Sequence, residues 1–287
     1  MSDLRAAAEA QLIREFSARR SFARGCGAAL LELSSILEDS DARLDRAVDP
    51  LGVVLVAWAV RGRRLLRAAY RLLDVGDAPE AVPLIRILIE YAIVGRWLKM
   101  NPDRLHAWAM KDHGKREHTL REVIAELGDV PDAQAALQEQ LNELEKMRER
   151  WRTERGEPSG GVPKIEVMAS EIGAGFGYQL GYRTQSQSDV HATPLSVDVV
   201  YGRLDDGTLR ILPVPGHALG EYDQYELAAL ALRDLLATVA EHMPALMWRS
   251  GIEGITAALI AARDSDPRKH EDPARALHEE AEDTDET

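Results

Sequence analysis

The stretch from Pro83 to Leu98, PLIRILIEYAIVGRWL, decides the fold, because as a helix it is apolar on nearly every side. A helix of this kind has to be covered by neighbouring elements on all sides, which is typical of the centre of a helical bundle. Only Arg86, Glu90 and Arg96 interrupt the apolar run. The sequence therefore predicts a core helix with charged residues inside it.

The residues before this stretch predict that the core helix is the second arm of a helical hairpin. Asp49-Pro50 is a helix start, and Val75-Gly76 is a stop signal that ends this first helix at about Asp74. Asp77-Ala-Pro-Glu80 then matches a capping box, with Asp in place of Ser or Thr, and starts the core helix at about residue 78. The two helices are predicted to be tightly connected and antiparallel.

The rest of the chain predicts more helices and one β-hairpin, so we expect an all-α, multi-helix bundle. A Val-rich run, the turn signal Asp205-Asp206-Gly207 and a second apolar run predict the hairpin at about 197–213. Further helices are predicted at 4–38 with a kink at Gly25 and Gly27, from Pro102 to about Leu127, and at 132–152, 164–172, 220–243 and 245–263.

Composition and charge separate a helical domain, 1–263, from an acidic tail, 264–287. The tail holds ten Asp and Glu against three Lys and Arg, a net charge of −7, which leaves −6 of the chain's −13 for residues 1–263. We predict a disordered tail and weak non-specific affinity for nucleic acid. Because Cys26 is the only cysteine, no internal disulfide is expected.

The sequence predicts a cytoplasmic protein without a membrane segment. Its first residues, MSDLRAAAEA, lack the apolar core of a signal peptide. The most apolar run, Leu51 to Val60, is about half of the roughly 20 residues that span a bilayer.

One polar site is predicted inside the bundle. Arg86, Glu90, Ile93 and Trp97 share one helical stripe, and a charge buried without a partner costs several kcal/mol. Other polar groups are therefore expected to meet Arg86 and Glu90. The best source is the segment YRTQSQSDVHATP, which contains Tyr182, Ser186, Ser188 and His191.

Two interpretations of this site stay open. In the structural one, the polar side chains form a buried network that fixes the register of the helices. In the functional one, Glu90 and His191 are the acid and base groups, and Arg86 holds an anionic group such as phosphate or carboxylate. Ser186 or Tyr182 then orients the ligand, with Ser188 as a further ligand-binding residue.

The chain resembles a family of uncharacterised bacterial helical proteins, described only as a domain of unknown function. The resemblance covers roughly residues 50–200 and rests on two motifs. The first consists of Glu80, Ala81, Leu84, Ile85, Arg86, Glu90, Trp97 and Leu98, and the second of Tyr182, Ser186, Ser188, Val190, His191, Thr193 and Pro194. The family implies a helical fold but no established reaction.

Two other functions use the same features. Arg86 and His191 could form the metal-independent catalytic pair of a small helical ribonuclease, as in prokaryotic defence and toxin systems. In a non-enzymatic interaction protein, the 132–152 helix would mediate a homodimer through Leu137, Leu141, Leu144 and Trp151, which follow an a/d pattern. The same stripe could instead pack on the protein's own body.

Metal and cofactor sites are not expected. The gaps of seven and five residues between His106, His113 and His118 do not give the i,i+4 geometry by which one helix chelates a metal. Gly173, Gly175 and Gly177 follow no strand and lack the spacing of a dinucleotide-binding loop.

Overall fold

The computed structural model describes residues 20–35, 37, 48–127, 130–157, 161–175, 201–203, 209–211, 218–246 and 248–264. In this part the protein is all-α, as predicted. Its helices are α1 (20–33), α2 (Pro50–Val75), α3 (Ala78–Met100), α4 (Leu105–Glu126), α5 (Pro131–Arg155), α6 (Ile165–Glu171), α7 (Ala218–His242) and α8 (Arg249–Asp264). Short 3-10 turns, Pro102–Arg104 and Pro244–Leu246, precede α4 and α8.

Two three-residue strands lie within the range of the expected hairpin. β1 (Tyr201–Arg203) and β2 (Leu209–Ile211) pair antiparallel, with Gly202 opposite Arg210. The other residues of the range 197–213 lie outside the described residues, as do those of the acidic tail after Asp264.

The core consists of α2, α3 and α7, each packed against the other two. The α2–α3 hairpin is as predicted: Asp49 Oδ1 accepts a 2.8 Å hydrogen bond from Gly52 N–H, and Gly76 ends α2 with φ 89°. Only a residue without a Cβ adopts this left-handed conformation at little cost. Asp77, however, makes no side-chain capping bond, so the predicted capping box does not form.

Contacts at both ends of α2 show that it runs antiparallel to α7. At one end Tyr70 packs against Tyr225, with ring centroids 4.9 Å apart, and at the other Asp49 Oδ1 lies 3.0 Å from His242 Nε2. Because α2 is also antiparallel to α3, helices α3 and α7 run in the same direction.

Helix α1 also packs on α2. The helix continues through Gly25 and Gly27. Gly27 allows close packing, because a Cβ there would lie 2.1 Å from Tyr70 Oη. At the other end of the contact, Arg63 donates to the carbonyl oxygens of Ser34 (2.8 Å) and Leu31 (3.0 Å).

Helices α4 and α5 form an antiparallel helical arm beside the core. Glu117 is fully buried between them and accepts hydrogen bonds from Arg121 and Arg148. Leu141, from the stripe predicted to mediate dimerisation, is only 5% exposed. The arm therefore covers much of its own apolar stripe.

Helix α4 begins at Leu105 rather than at Pro102 as predicted, and Asn101 does not cap it. The Asn101 amide instead donates a 3.0 Å hydrogen bond to the carbonyl of Trp97, and the 3-10 turn separates it from α4. None of the helices in the described part has both the length and the apolar character needed to cross a bilayer.

Candidate functional site

The structure places Arg86 half-buried on α3 and Glu90 exposed one turn later. The expectation that both charges are buried is therefore wrong for Glu90. Helices α2, α6 and α7 all pack against α3. They do not cover Glu90, which stays in contact with water. Neither side chain lacks an interaction partner.

The same stripe becomes buried further along α3, where it meets α6. Ile93 is 4% exposed and Trp97 is 2% exposed. The indole Nε1–H of Trp97 donates a 2.5 Å hydrogen bond to Glu171 Oε2, in the last turn of α6. The bond fixes α6 against the end of α3 and satisfies the buried indole donor of Trp97.

A small cavity of about 280 Å³ opens beside Ile93, between α3, α7 and the residues that follow α6. Ile172 and Ala174 form one wall, and Asp234 and Thr238 of α7 lie on another. The chain thus leaves α6 next to the stripe that contains Arg86 and Glu90.

The end of this cavity is polar because three charged side chains meet there. Arg96 and Lys99 of α3 both donate hydrogen bonds to Glu241 of α7. Partial burial acts to raise the pKa of the Glu241 carboxyl, but the bonds from Lys99 and Arg96 outweigh it, and the pKa lies below its usual value. Glu241 is therefore stabilised in its ionised form, and its hydrogen bonds link α3 to α7.

Four of the predicted site residues cannot be placed, because Tyr182, Ser186, Ser188 and His191 lie outside the described residues. The structure thus describes Arg86 and Glu90 but not the segment predicted to meet them. Whether the three charged residues form one site stays a prediction.

The three histidines of α4 do not converge. His106 Nε2 lies 3.1 Å from the carbonyl of Gly156, His118 Nε2 lies 3.2 Å from Glu122 Oε1, and His113 packs against Trp151. Among the described residues, no group of three or more His, Cys, Asp or Glu side chains could hold a metal ion.

Sequence reasoning missed a larger concave feature, a cavity of about 400 Å³ between the start of α2 and the helical arm. Trp108, His113 and Trp151 line it, and Trp58 packs behind Trp108. The sequence feature that could have indicated this cavity is its tryptophans: Trp58, Trp108 and Trp151, three of the five in the chain, lie in or next to it. Their spacing along the sequence does not show that α2, α4 and α5 bring them together.

Residues 52–208 match the model of a family of unknown function, DUF5677. This range agrees with the resemblance found from the two motifs at roughly 50–200. No curated protein and no solved structure matches the chain.

Proposed function

The chain belongs to the DUF5677 family of unknown function, and we propose that it binds a small anionic, nucleotide-like ligand between Arg86 of α3 and the segment 182–191. Arg86 pairs with the anionic group, while Glu90 and His191 act as acid and base groups beside it. Tyr182, Ser186 and Ser188 orient the ligand through their hydroxyl groups.

The observation that best supports the proposal is the position at which the chain leaves α6. Ile172 and Ala174 line one cavity with Ile93, which lies on the same helical stripe as Arg86. From Ile93 to Arg86 the stripe extends about 10 Å, at 1.5 Å for each helical residue. Seven further residues beyond Gly175 span at most about 25 Å, so the chain is long enough to bring Tyr182 beside Arg86.

The chemistry of Arg86 favours an anionic ligand. A guanidinium group stays charged at physiological pH and presents several N–H donors in one plane, which suits phosphate and carboxylate oxygens. Arg86 is half-buried on a helix whose neighbouring residues are mostly apolar, and screening by water is weaker there than on an open surface. Glu90 is exposed, so it remains accessible for proton exchange at the rim of such a site.

Ligand binding is tested by calorimetric titration of the full chain with adenosine 5′-monophosphate, inorganic pyrophosphate and adenosine. The proposal predicts that a phosphate-bearing probe binds, that adenosine does not, and that Arg86→Gln weakens binding about tenfold or more. Arg249→Gln is the matched control, because Arg249 is 81% exposed and lies on α8. Equal affinity of the two variants, or no binding of either phosphate probe at millimolar concentration, would refute it.

The ribonuclease alternative uses the same residues, so an RNA cleavage assay is needed to distinguish it from simple ligand binding. A single-stranded RNA oligonucleotide is incubated with the protein in EDTA, and the products are resolved by size. Cleavage that is lost in both Arg86→Gln and His191→Ala would replace simple ligand binding by metal-independent cleavage at the same site. If the RNA stays intact, the ribonuclease alternative is excluded and ligand binding remains the proposal.

A homodimer is a second candidate role, and an open groove along the helical arm supports it. The groove has Lys115 and Arg116 on the α4 side, Glu139 and Glu143 on the α5 side, and Met147, 38% exposed, among its apolar residues. Two copies related by a two-fold axis would bury this apolar lining, with Lys115 of one arm facing Glu139 of the other.

Mass measured by light scattering across a range of protein concentrations tests the dimer. The proposal predicts a mass that rises from one chain to two, and a shift toward one chain in Met147→Lys. Val167→Lys is the control, since Val167 is similarly exposed, at 45%, but lies on α6. A single-chain mass at every concentration would exclude the dimer without affecting the ligand proposal.

A further inference from the structure

The cavity between α2 and the helical arm has the size and lining of a small-molecule site. It measures about 400 Å³, within the roughly 300–1,000 Å³ typical of such sites. Val54 of α2, Ala109 of α4 and Leu144 of α5 are among its apolar lining residues. Three separate elements thus shape one pocket, which lies where the arm meets the core.

The walls of this cavity are aromatic and fixed in place. The ring of Trp151 packs against His113 at a centroid distance of 4.7 Å and an angle of 70°. Trp108 packs edge-on against Trp58 at 5.2 Å, and Trp58 stacks on Tyr91 at 5.3 Å with planes only 3° apart. Because these contacts hold the rings in defined orientations, a flat ligand would meet a preformed surface at little ordering cost.

The polar groups at the cavity provide positive charge at its edge. Arg116 Nε lies 2.9 Å from Asp112 Oδ2, so these two residues neutralise each other. Arg155 also lines the cavity and forms no ion pair with another residue in the described ranges. The positive charge of Arg155 is therefore not balanced by a carboxylate of the cavity lining.

We infer that this cavity binds a planar aromatic ligand with a single anionic group, such as an aromatic carboxylate. The ring packs against Trp108 and Trp151, and the anionic group pairs with Arg155. This site uses none of the residues of the Arg86 site, so the inference stands independently of the proposed ligand there.

The probe is 2-naphthoate, titrated into the full-length chain while the indole N–H signals of the tryptophans are followed by NMR. Two matched probes separate the parts of the inference: 2-naphthalenemethanol keeps the rings without the charge, and cyclohexanecarboxylate keeps the charge without the rings. We expect 2-naphthoate to bind most tightly and to shift the signals of Trp108 and Trp151. The signal of Trp248, which is buried in the core, stays in place.

Variants then test the role of the arginine. Arg155→Gln is expected to weaken 2-naphthoate binding about five- to tenfold, since its charge is largely exposed to water. Arg150→Gln is the matched control, being exposed on the same helix but outside the cavity. Arg86→Gln is expected to have no effect, which separates this site from the one proposed above.

Three results would overturn the inference. They are the absence of any shift at Trp108 and Trp151 with millimolar 2-naphthoate, equal affinity for cyclohexanecarboxylate, and equal weakening by Arg155→Gln and Arg150→Gln. Because both arginines are exposed, neither variant is expected to unfold the chain, and each result can be interpreted directly.

Discussion

Replacing Tyr225 by phenylalanine removes one hydroxyl group from the contact between α1, α2 and α7, and we expect a clear loss of stability. Tyr225 is fully buried. Its hydroxyl donates a 2.6 Å hydrogen bond to Asp74 Oδ1 and accepts one of 3.2 Å from Arg20 Nη2. Arg24 Nη2 donates to the other Asp74 oxygen at 2.8 Å, so one network joins all three helices.

The expected loss for Tyr225→Phe follows from these bonds. A hydrogen bond to a charged group contributes about 1.5–3 kcal/mol to stability, and the hydroxyl makes two. Asp74 keeps its bond to Arg24 and some contact with water, with 33% of its side chain exposed, so part of the loss is recovered. We therefore expect a decrease of about 2 kcal/mol in the free energy of unfolding.

The pH dependence gives an independent check on the same group. Burial, with the hydrogen bond to Asp74, raises the pKa of Tyr225 from 10.0 to about 12. Because the folded pKa lies above the unfolded one, the neutral hydroxyl contributes stability that is present below pH 10 and is lost as the pH rises to about 12. A rise of about two pKa units sets an upper limit of roughly 3 kcal/mol on the loss from this hydroxyl, and Tyr225→Phe should not show that loss.

The assay is urea denaturation at pH 7 and at steps from pH 9 to 12. Tyr91→Phe is the control, because Tyr91 is partly exposed and its hydroxyl makes no hydrogen bond within the part of the chain that the structure describes. We expect it to change the unfolding free energy at pH 7 by less than about 0.5 kcal/mol. A Tyr225→Phe variant as stable as the wild type at pH 7, with the same decline above pH 10, would show that the network does not join the helices as described.

Three further substitutions test the fold. Gly27→Ala should cost about 2 kcal/mol of unfolding free energy, because its Cβ would lie 2.1 Å from Tyr70 Oη, and an unchanged urea midpoint would contradict this packing. Asp49→Ala should cost about 1 kcal/mol at pH 7 through the lost helix cap. Burial acts to raise the pKa of Asp49, but its hydrogen bonds to the α2 backbone and to His242 of α7 outweigh this effect and lower the pKa. The difference in unfolding free energy between Asp49→Ala and the wild type should therefore disappear as the pH falls well below 4. A difference that persists at pH 2 would refute the role of the Asp49 carboxylate as the cap. Glu117→Ala should cost about 2 kcal/mol by removing the buried carboxylate that accepts hydrogen bonds from the partly exposed Arg121 and Arg148. The partly exposed Glu145→Ala should cost less than about 0.5 kcal/mol. Equal urea midpoints of the two variants would show that Glu117 does not hold the arm together.

The helices were predictable because their signals are local. Pro50 and Gly76 mark the bounds of α2, and the apolar stretch from Pro83 to Leu98 marks α3 as a core helix. Such signals depend only on backbone geometry and on the period of apolar residues. They do not depend on which helices become neighbours.

The errors concern features that tertiary neighbours determine. At Gly27 the sequence does not show that the absence of a side chain lets Tyr70 approach α1. Glu90 was expected to be buried because the sequence around it is apolar, yet the cover around α3 is incomplete at that position. The aromatic cavity was missed for the same reason, since Trp108 and Trp151 come together only when α4 and α5 fold back on each other.

The candidate site was only partly predictable. The stripe of Arg86, Glu90, Ile93 and Trp97 follows from helical periodicity, and the structure places all four on α3. The pairing with His191 depends on a contact between residues 101 or more positions apart, which no periodicity specifies. That pairing is the central claim of the proposed function.

Disulfide trapping tests this claim most directly. In a Cys26→Ser background, which removes the only native cysteine, Glu90→Cys is combined with His191→Cys and oxidised mildly. A disulfide requires Cα atoms about 4.4–6.8 Å apart, so the pair should form an intrachain bond that changes gel mobility. The control pair, Met100→Cys with His191→Cys, lies about 15 Å further along α3 and should not. A bond in the first pair alone supports one shared site; no bond in the first pair, or equal bonding in both, would contradict it.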